Sequence, residues 1–167
     1  VGLVNSGGLR SGDPLSGTVT RADLVGLVPF EEPLTVAAVS GERLRRALAA
    51  AHGEALGFGE PDWWHAHLAG ARMVYDAARG RVGALRVGGA PVDPDATYEV
   101  ALPDFLLRTD REFPALGPRD REREGPVQYE ALVSHARERG IDAETDGRVR
   151  TTGTDGRPEE TAEVGEP

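Results

Sequence analysis

Residues 1–5 form a short apolar run, Val1-Gly2-Leu3-Val4-Asn5, that predicts a buried strand, and the Gly-, Ser-, Asp- and Pro-rich stretch 6–17 predicts a loop. Thr20 and Asp23 have the spacing of an N-cap pair, so a short helix is expected over 21–27, ended by Pro29. The β-branched, apolar segment 34–39 predicts a second strand. Ser40 then caps a helix over 41–52 in which Leu44, Ala47, Leu48 and Ala51 share one stripe, with Gly53 as its stop.

Residues 54–70 lack either period and predict a long loop carrying Phe58, Trp63, Trp64, His65 and His67. Strands are expected over 71–76, 81–87 and 97–102, running as an antiparallel meander, with Gly88-Gly89, Pro91 and Pro94 breaking the chain before the third. Pro103 opens a helical turn over 104–107, and the charge- and proline-dense stretch 108–125 is expected to be exposed. A second long helix over 127–139, with Tyr129, Leu132, Val133 and Ala136 as its apolar stripe, stops at Gly140. A terminal strand through Val149 falls within 141–150. The pattern therefore predicts one α+β domain over 1–150, a mixed, largely antiparallel sheet with packed helices, followed by a disordered acidic tail over 151–167.

Composition narrows the class. The 167 residues suffice for one domain with a real core, and no apolar run approaches the roughly 18 residues of a membrane span. With no cysteine there is neither a disulfide framework nor a thiolate metal site, and the redox compartment cannot be read. The 28 acidic residues outnumber 19 basic ones, all of them arginine, and the scattered arginines form no basic stripe. A nucleic-acid groove is therefore not expected. Such a balance suits a salt-adapted surface or a GC-rich coding sequence. The chain opens on an apolar strand with Met73 as its one methionine, so it is expected to be a piece of a longer protein, and localisation cannot be assigned.

The candidate chemistry centres on Asn5-Ser6-Gly7-Gly8-Leu9-Arg10. Two glycines let backbone approach a ligand closely, and Arg10 offers a planar fork of donors suited to phosphate oxygens; the competing reading is a plain connection after a strand. His65-x-His67 has the alternation of a metal-binding strand, but no third ligand has an evident position. Trp63-Trp64 reads either as a hydrophobic anchor for its loop or as a stacking platform.

In order and in motif the chain resembles the C-terminal domain of the 5'-nucleotidase family, which also includes UDP-sugar hydrolases and 2',3'-cyclic-nucleotide phosphodiesterases. Asn5 to Arg10 resembles the family's Asn-x-Gly-Gly-Ile-Arg loop, and Thr18-Val19-Thr20 through Asp23-Leu24 to Val28-Pro29-Phe30 its next segment. Val39-Ser40-Gly41 with Leu44, Val74-Tyr75-Asp76, Asp93-Pro94-Asp95 with Thr97-Tyr98, Leu102-Pro103-Asp104-Phe105-Leu106 and Gly147-Arg148-Val149 follow in register.

The resemblance implies a substrate-binding domain with no catalytic residue and no metal of its own. A separate N-terminal metallophosphoesterase domain would carry two divalent metal ions and the chemistry. Phe30 and Phe105 would sandwich a base, Arg10 would hold phosphate or ribose oxygens, and Asn5 would meet a base edge. His67 matches the Gln, and Gly70 the Gly, of a Phe-x-Gln-x-x-Gly pattern near the nucleoside. After the second aromatic the family has a Gly-Gly-Asp-Gly turn whose Asp holds the ribose, but here the segment is Arg108-Thr109-Asp110-Arg111-Glu112, in which Asp110 would serve only with a one-residue shift of the loop, and Glu31-Glu32 replaces the usual Gly-Asn after the first phenylalanine. The expected ligand is a nucleoside monophosphate or related small phosphoester. The alternative is a binding or interaction module that keeps the fold without hydrolysis. The family is often extracellular or periplasmic.

Overall fold

A computed structural model of the chain describes residues 1–10, 15–52, 65–109, 113, 115, 116 and 123–152. Its elements run β1 (Gly2–Asn5), a 3-10 turn (Ser6–Gly8), α1 (Arg21–Leu27), β2 (Pro33–Ser40), α2 (Gly41–His52), β3 (Ala66–Ala69), β4 (Ala71–Asp76), β5 (Arg81–Val87), β6 (Ala90–Pro91), β7 (Thr97–Pro103), α3 (Phe105–Arg108), β8 (Arg123–Val127), α4 (Gln128–Arg139) and β9 (Val149–Thr152). The strands form two sheets, where the sequence suggested one. The first has the order β3-β1-β7-β2-β8 and the second β6-β5-β4-β9. The mixed α+β class holds, with antiparallel pairing dominant and parallel pairs only at β1/β7 and β4/β9 among the described strands.

α2 ties the sheets together, touching β2 and β3 of the first and β5 of the second. Its stripe Leu44, Ala47, Leu48 and Ala51 is buried against Leu3, Ala37, Val39, Leu68, Met73, Leu85, Val100 and Leu102. Both predicted caps are formed. Thr20 and Asp23 make a reciprocal capping box on α1, and Ser40 Oγ accepts the Arg43 amide of α2 at 3.4 Å.

Four expectations change. Residues 66–69 are a strand, because the alternation of buried Ala66 and Leu68 with outward His67 and Ala69 lets them pair with β1. The meander ends at its hairpin. Positive-φ Gly88 and Gly89, then Pro91 and Pro94, carry the chain to the other sheet, where β7 seats Val100 and Leu102 between β1 and β2. The stretch 108–125 is not wholly exposed, since a turn closed by the Leu116 amide on the Phe113 carbonyl buries both side chains, and 123–127 forms an edge strand that accommodates Pro126. Of the stripe expected on α4 only Val133 is buried, and Tyr129 instead lies under the Arg21 guanidinium of α1 at 5.6 Å.

Candidate nucleotide cleft

β1, β7 and β8 all run in one direction, because β1 is parallel to β7 and β2 is antiparallel to both β7 and β8. Their carboxyl ends therefore meet at one end of the first sheet. There they deliver Asn5, Pro103 and the start of α4 at Gln128, while the segment entering β2 adds Phe30 and Glu32 and α3 adds Phe105. With Gly7, Gly8 and Arg10 from the first loop these residues line a cleft of about 340 Å³.

The two phenylalanines face solvent at this cleft, 36% and 40% exposed, although Phe is a residue type that folding usually buries. Arg10, itself exposed, places its guanidinium carbon 5.1 Å from the centre of the Phe30 ring, a cation–π contact. Its loop is fixed by the Arg10 amide donating to the Leu27 carbonyl at 2.8 Å. Asn5 is only 5% exposed, yet its side chain belongs to the cleft wall. Gly8 packs against it so closely that a Cβ would sit 2.7 Å from Asn5 Oδ1. The second glycine is thus required by the buried Asn5 side chain packed against it.

The carboxylates that distinguish this chain have different fates. Glu31 is exposed. Glu32 lines the cleft but is held by Arg108, which also bonds Asp104 Oδ2 at 2.9 Å, and Asp104 is buried at 2% exposure. Glu32 raises the pKa of the Arg108 guanidinium above its ordinary value, with Asp104 adding to the effect. The charge that Glu32 would bring to an anionic ligand is thereby matched at the rim.

The sequence-derived candidates divide. Asn5, Arg10, Phe30 and Phe105 come together. His67 and Gly70 do not line this cleft, because β3 runs antiparallel to β1: Ala66 pairs with Asn5, whereas Ala69 pairs with Gly2 at the opposite end. Gly70 lines a different hollow. His67 reaches Ser6 instead, its Nε2 3.3 Å from Ser6 Oγ. Partial burial of its ring, with the nearby His65, lowers its pKa. Asp110, Phe58, Trp63 and Trp64 lie outside the described residues. Gln128 carried no motif signal, and Pro103 stood inside the Leu102–Leu106 motif with no role of its own; the topology brings both to the cleft.

A histidine cluster flanks the other side of the first loop. His52 stacks on His65 with ring centres 4.8 Å apart and lies 5.5 Å from Tyr75. Its Nδ1 donates to the Leu48 carbonyl at 2.9 Å, and Nε2 has no hydrogen-bond partner among the described residues. Burial drives the pKa of His52 down to about 4. Among the described residues no three His, Cys, Asp or Glu side chains are placed to hold a metal ion, and no helix is long and apolar enough to cross a membrane.

Comparison with known proteins places the fold. An apyrase from Tabanus yao is 27% identical over 90% of this chain, which covers 29% of the apyrase. The structure of a 5'-nucleotidase precursor from Thermus thermophilus superposes with a TM-score of 0.75 at 23% identity, and that of the NAD nucleotidase of Haemophilus influenzae with a TM-score of 0.75 at 22%. Each covers 90% of this chain, which spans 31% and 29% of those structures; at such identities the likeness establishes the fold. The family model of the 5'-nucleotidase C-terminal domain matches residues 1–118, most of the chain, and the protein belongs to that family.

Proposed function

We propose that this domain is the substrate-binding part of a 5'-nucleotidase-type phosphoester hydrolase and that the cleft holds a nucleoside monophosphate or related small phosphoester. The observation that carries the reading is the pair of solvent-facing rings, Phe30 and Phe105, on the walls of one cleft. Stacking of a base on aromatic rings is worth about 1–3 kcal/mol and tolerates different bases. Arg10 supplies a charged fork for phosphate or ribose oxygens, and the amides of Asn5 and Gln128 each offer a donor and an acceptor to the base edge.

The chemistry itself is assigned to a metallophosphoesterase domain outside these residues, along with the two divalent metals that the family reading implies. Among the described residues no three His, Cys, Asp or Glu side chains are placed to hold either metal. What the domain contributes is binding and orientation: a nucleoside held by its faces presents its phosphate in a fixed direction, which reduces the entropy lost on reaching the reactive geometry.

Calorimetric titration of the chain with adenosine and AMP tests the proposal. Saturable binding of both, weakened in Phe30→Ala and Phe105→Ala with unchanged thermal stability, is the expected result. The pure chain should release no phosphate from AMP. Absence of binding to either ligand overturns the nucleotide reading and favours an interaction module. Phosphate release by the chain alone contradicts the division of labour.

A further inference from the structure

A second hollow, of about 320 Å³, opens on the other sheet and is lined by Gly70, Ala71, Arg72, Arg86, Gly88, Gly89, Asp146 and Arg148. Arg72 and Arg86 are direct cross-strand partners on β4 and β5. Arg148 immediately precedes β9, whose Val149 pairs with Met73, and its carbonyl accepts the Met73 amide at 2.7 Å. Three guanidinium-bearing residues thus occupy one rung across three neighbouring strands, on the face opposite the buried Met73 and Leu85.

Like charges directly opposite one another destabilise a sheet, so such a rung calls for counter-charge. The fold supplies one carboxylate. Asp146 Oδ2 bonds Arg72 Nη2 at 2.9 Å, and Asp146 Oδ1 bonds Arg148 Nε at 2.7 Å. Arg86 has no carboxylate partner among the described residues; its Nη1 donates to the Gly89 carbonyl at 2.9 Å. The remaining bonds orient the forks: Arg72 Nη1 donates to the Asp146 carbonyl and Arg148 Nη1 to the Leu68 carbonyl. Among the described residues, Arg86 Nε and Nη2 and Arg148 Nη2 make no hydrogen bond, and both residues line the hollow. Its lining also includes Gly70, Gly88 and Gly89, all at positive φ and without side chains, with the Gly88 amide donating to Gly70 O at 3.1 Å.

We infer that the Arg72–Arg86–Arg148 rung is a binding site for a phosphate-type dianion, separate from the aromatic cleft. Three guanidinium groups against one carboxylate leave two positive charges, which match a phosphate monoester or free phosphate dianion. The site stands out on a chain whose net charge is -9. The position is distinct as well: Gly70 lies beside Val1 at the start of β1, whereas the cleft lies beyond Asn5 at its end. Arginine forks suit this chemistry because planar, paired N–H donors match phosphate oxygens.

The test is a heteronuclear NMR titration of the full chain with inorganic phosphate at low salt and neutral pH, with AMP as the second arm. Expected are saturable shifts at the Gly88, Gly89 and Asp146 amides and the Arg86 Nε signal. Affinity should fall about tenfold in Arg86→Gln, the loss of one charge-assisted contact. Arg86 is exposed, so this variant keeps its fold, and its thermal midpoint should hold or rise as like-charge repulsion is relieved. Phosphate shifts confined to Gly7, Gly8 and Arg10, or an affinity unchanged in Arg86→Gln, overturn the site. AMP marks the source: shifts at the rung through its phosphate make a monoester a ligand there, whereas shifts confined to the aromatic cleft leave free phosphate as the rung's ligand. Either result leaves the aromatic cleft to be judged by its own variants.

Discussion

The guanidinium of Arg10 lies over the ring of Phe30, 5.1 Å from its centre, so the cleft's cation and one of its aromatic walls form a single unit. If that unit serves a nucleotide, Arg10 has two effects of opposite sign. It competes with a base for the face of Phe30, and it attracts a phosphate. Arg10→Ala is therefore expected to leave adenosine affinity unchanged or raised while weakening AMP by about 1.5–3 kcal/mol, roughly 10- to 150-fold. Parallel calorimetric titrations with the two ligands check this. An equal loss for both would assign Arg10 to the nucleoside alone.

Phe30 and Phe105 can be truncated with little effect on folding because each already faces water. Phe105→Ala should cost about 1–3 kcal/mol of binding while the thermal midpoint moves little. A residue such as Leu106, next in sequence and fully buried, shows the contrast. Leu106→Ala should cost about 2–5 kcal/mol of stability. Comparing Tm and affinity for the two neighbours separates a binding ring from a packing one. A large Tm loss in Phe105→Ala would place that ring in the core.

How far the sequence could be read follows from which interactions are local. The α1 capping box, the α2 stripe and the β4–β5 hairpin are encoded within short windows, and they form with bounds close to those expected. β3 and β8 were missed because each is stabilised by a distant partner. β3 needs β1, over sixty residues away, and β8 is a polar edge strand with a proline that only its pairing with β2 defines. The same holds at the site. The Asn5–Arg10 run stood out by its residue types and Phe30 and Phe105 by motif resemblance, whereas Gln128 enters the cleft solely because β8 ends beside β7 and β2. Gly70 shares the resemblance but sits at the far end of an antiparallel partner, where a motif written along one strand gives no sense of direction.

Gly41 is the tightest backbone contact between α2 and the segment after β6. A Cβ there would sit 2.1 Å from the Asp93 carbonyl oxygen and 2.6 Å from Val92 Cγ1. The segment cannot withdraw freely, because the Ala96 and Pro94 carbonyls accept the first two amides of α2 at 2.9 Å each. Helix N-termini leave such amides without internal partners, so this docking replaces solvent. Gly41→Ala, normally a favourable change within a helix, should here destabilise by about 1–3 kcal/mol, a fall of roughly 2–12 °C in Tm. Differential scanning calorimetry reads it directly, and a neutral or stabilising outcome would mean the two elements are not in contact.

His52 gives the fold a pH dependence of defined sign. It is 8% exposed, its ring stacks on His65, and burial holds its pKa at about 4 against an ordinary 6.5; the Leu48 carbonyl opposes that shift, and His65 and His67 reinforce it. A histidine whose folded pKa is depressed is bound neutral, so the unfolded chain takes up protons first as the pH falls. Stability from this group is complete above about pH 6.5 and is progressively lost between there and pH 4, by about 3 kcal/mol in total. Carboxylates titrate in the lower part of that window, so the informative quantity is a difference between proteins. Measured from pH 7 to pH 5, the denaturant midpoint of the native chain should fall relative to that of His52→Leu as the pH drops. Midpoints that fall in parallel would show that His52 takes up its proton equally well in both states.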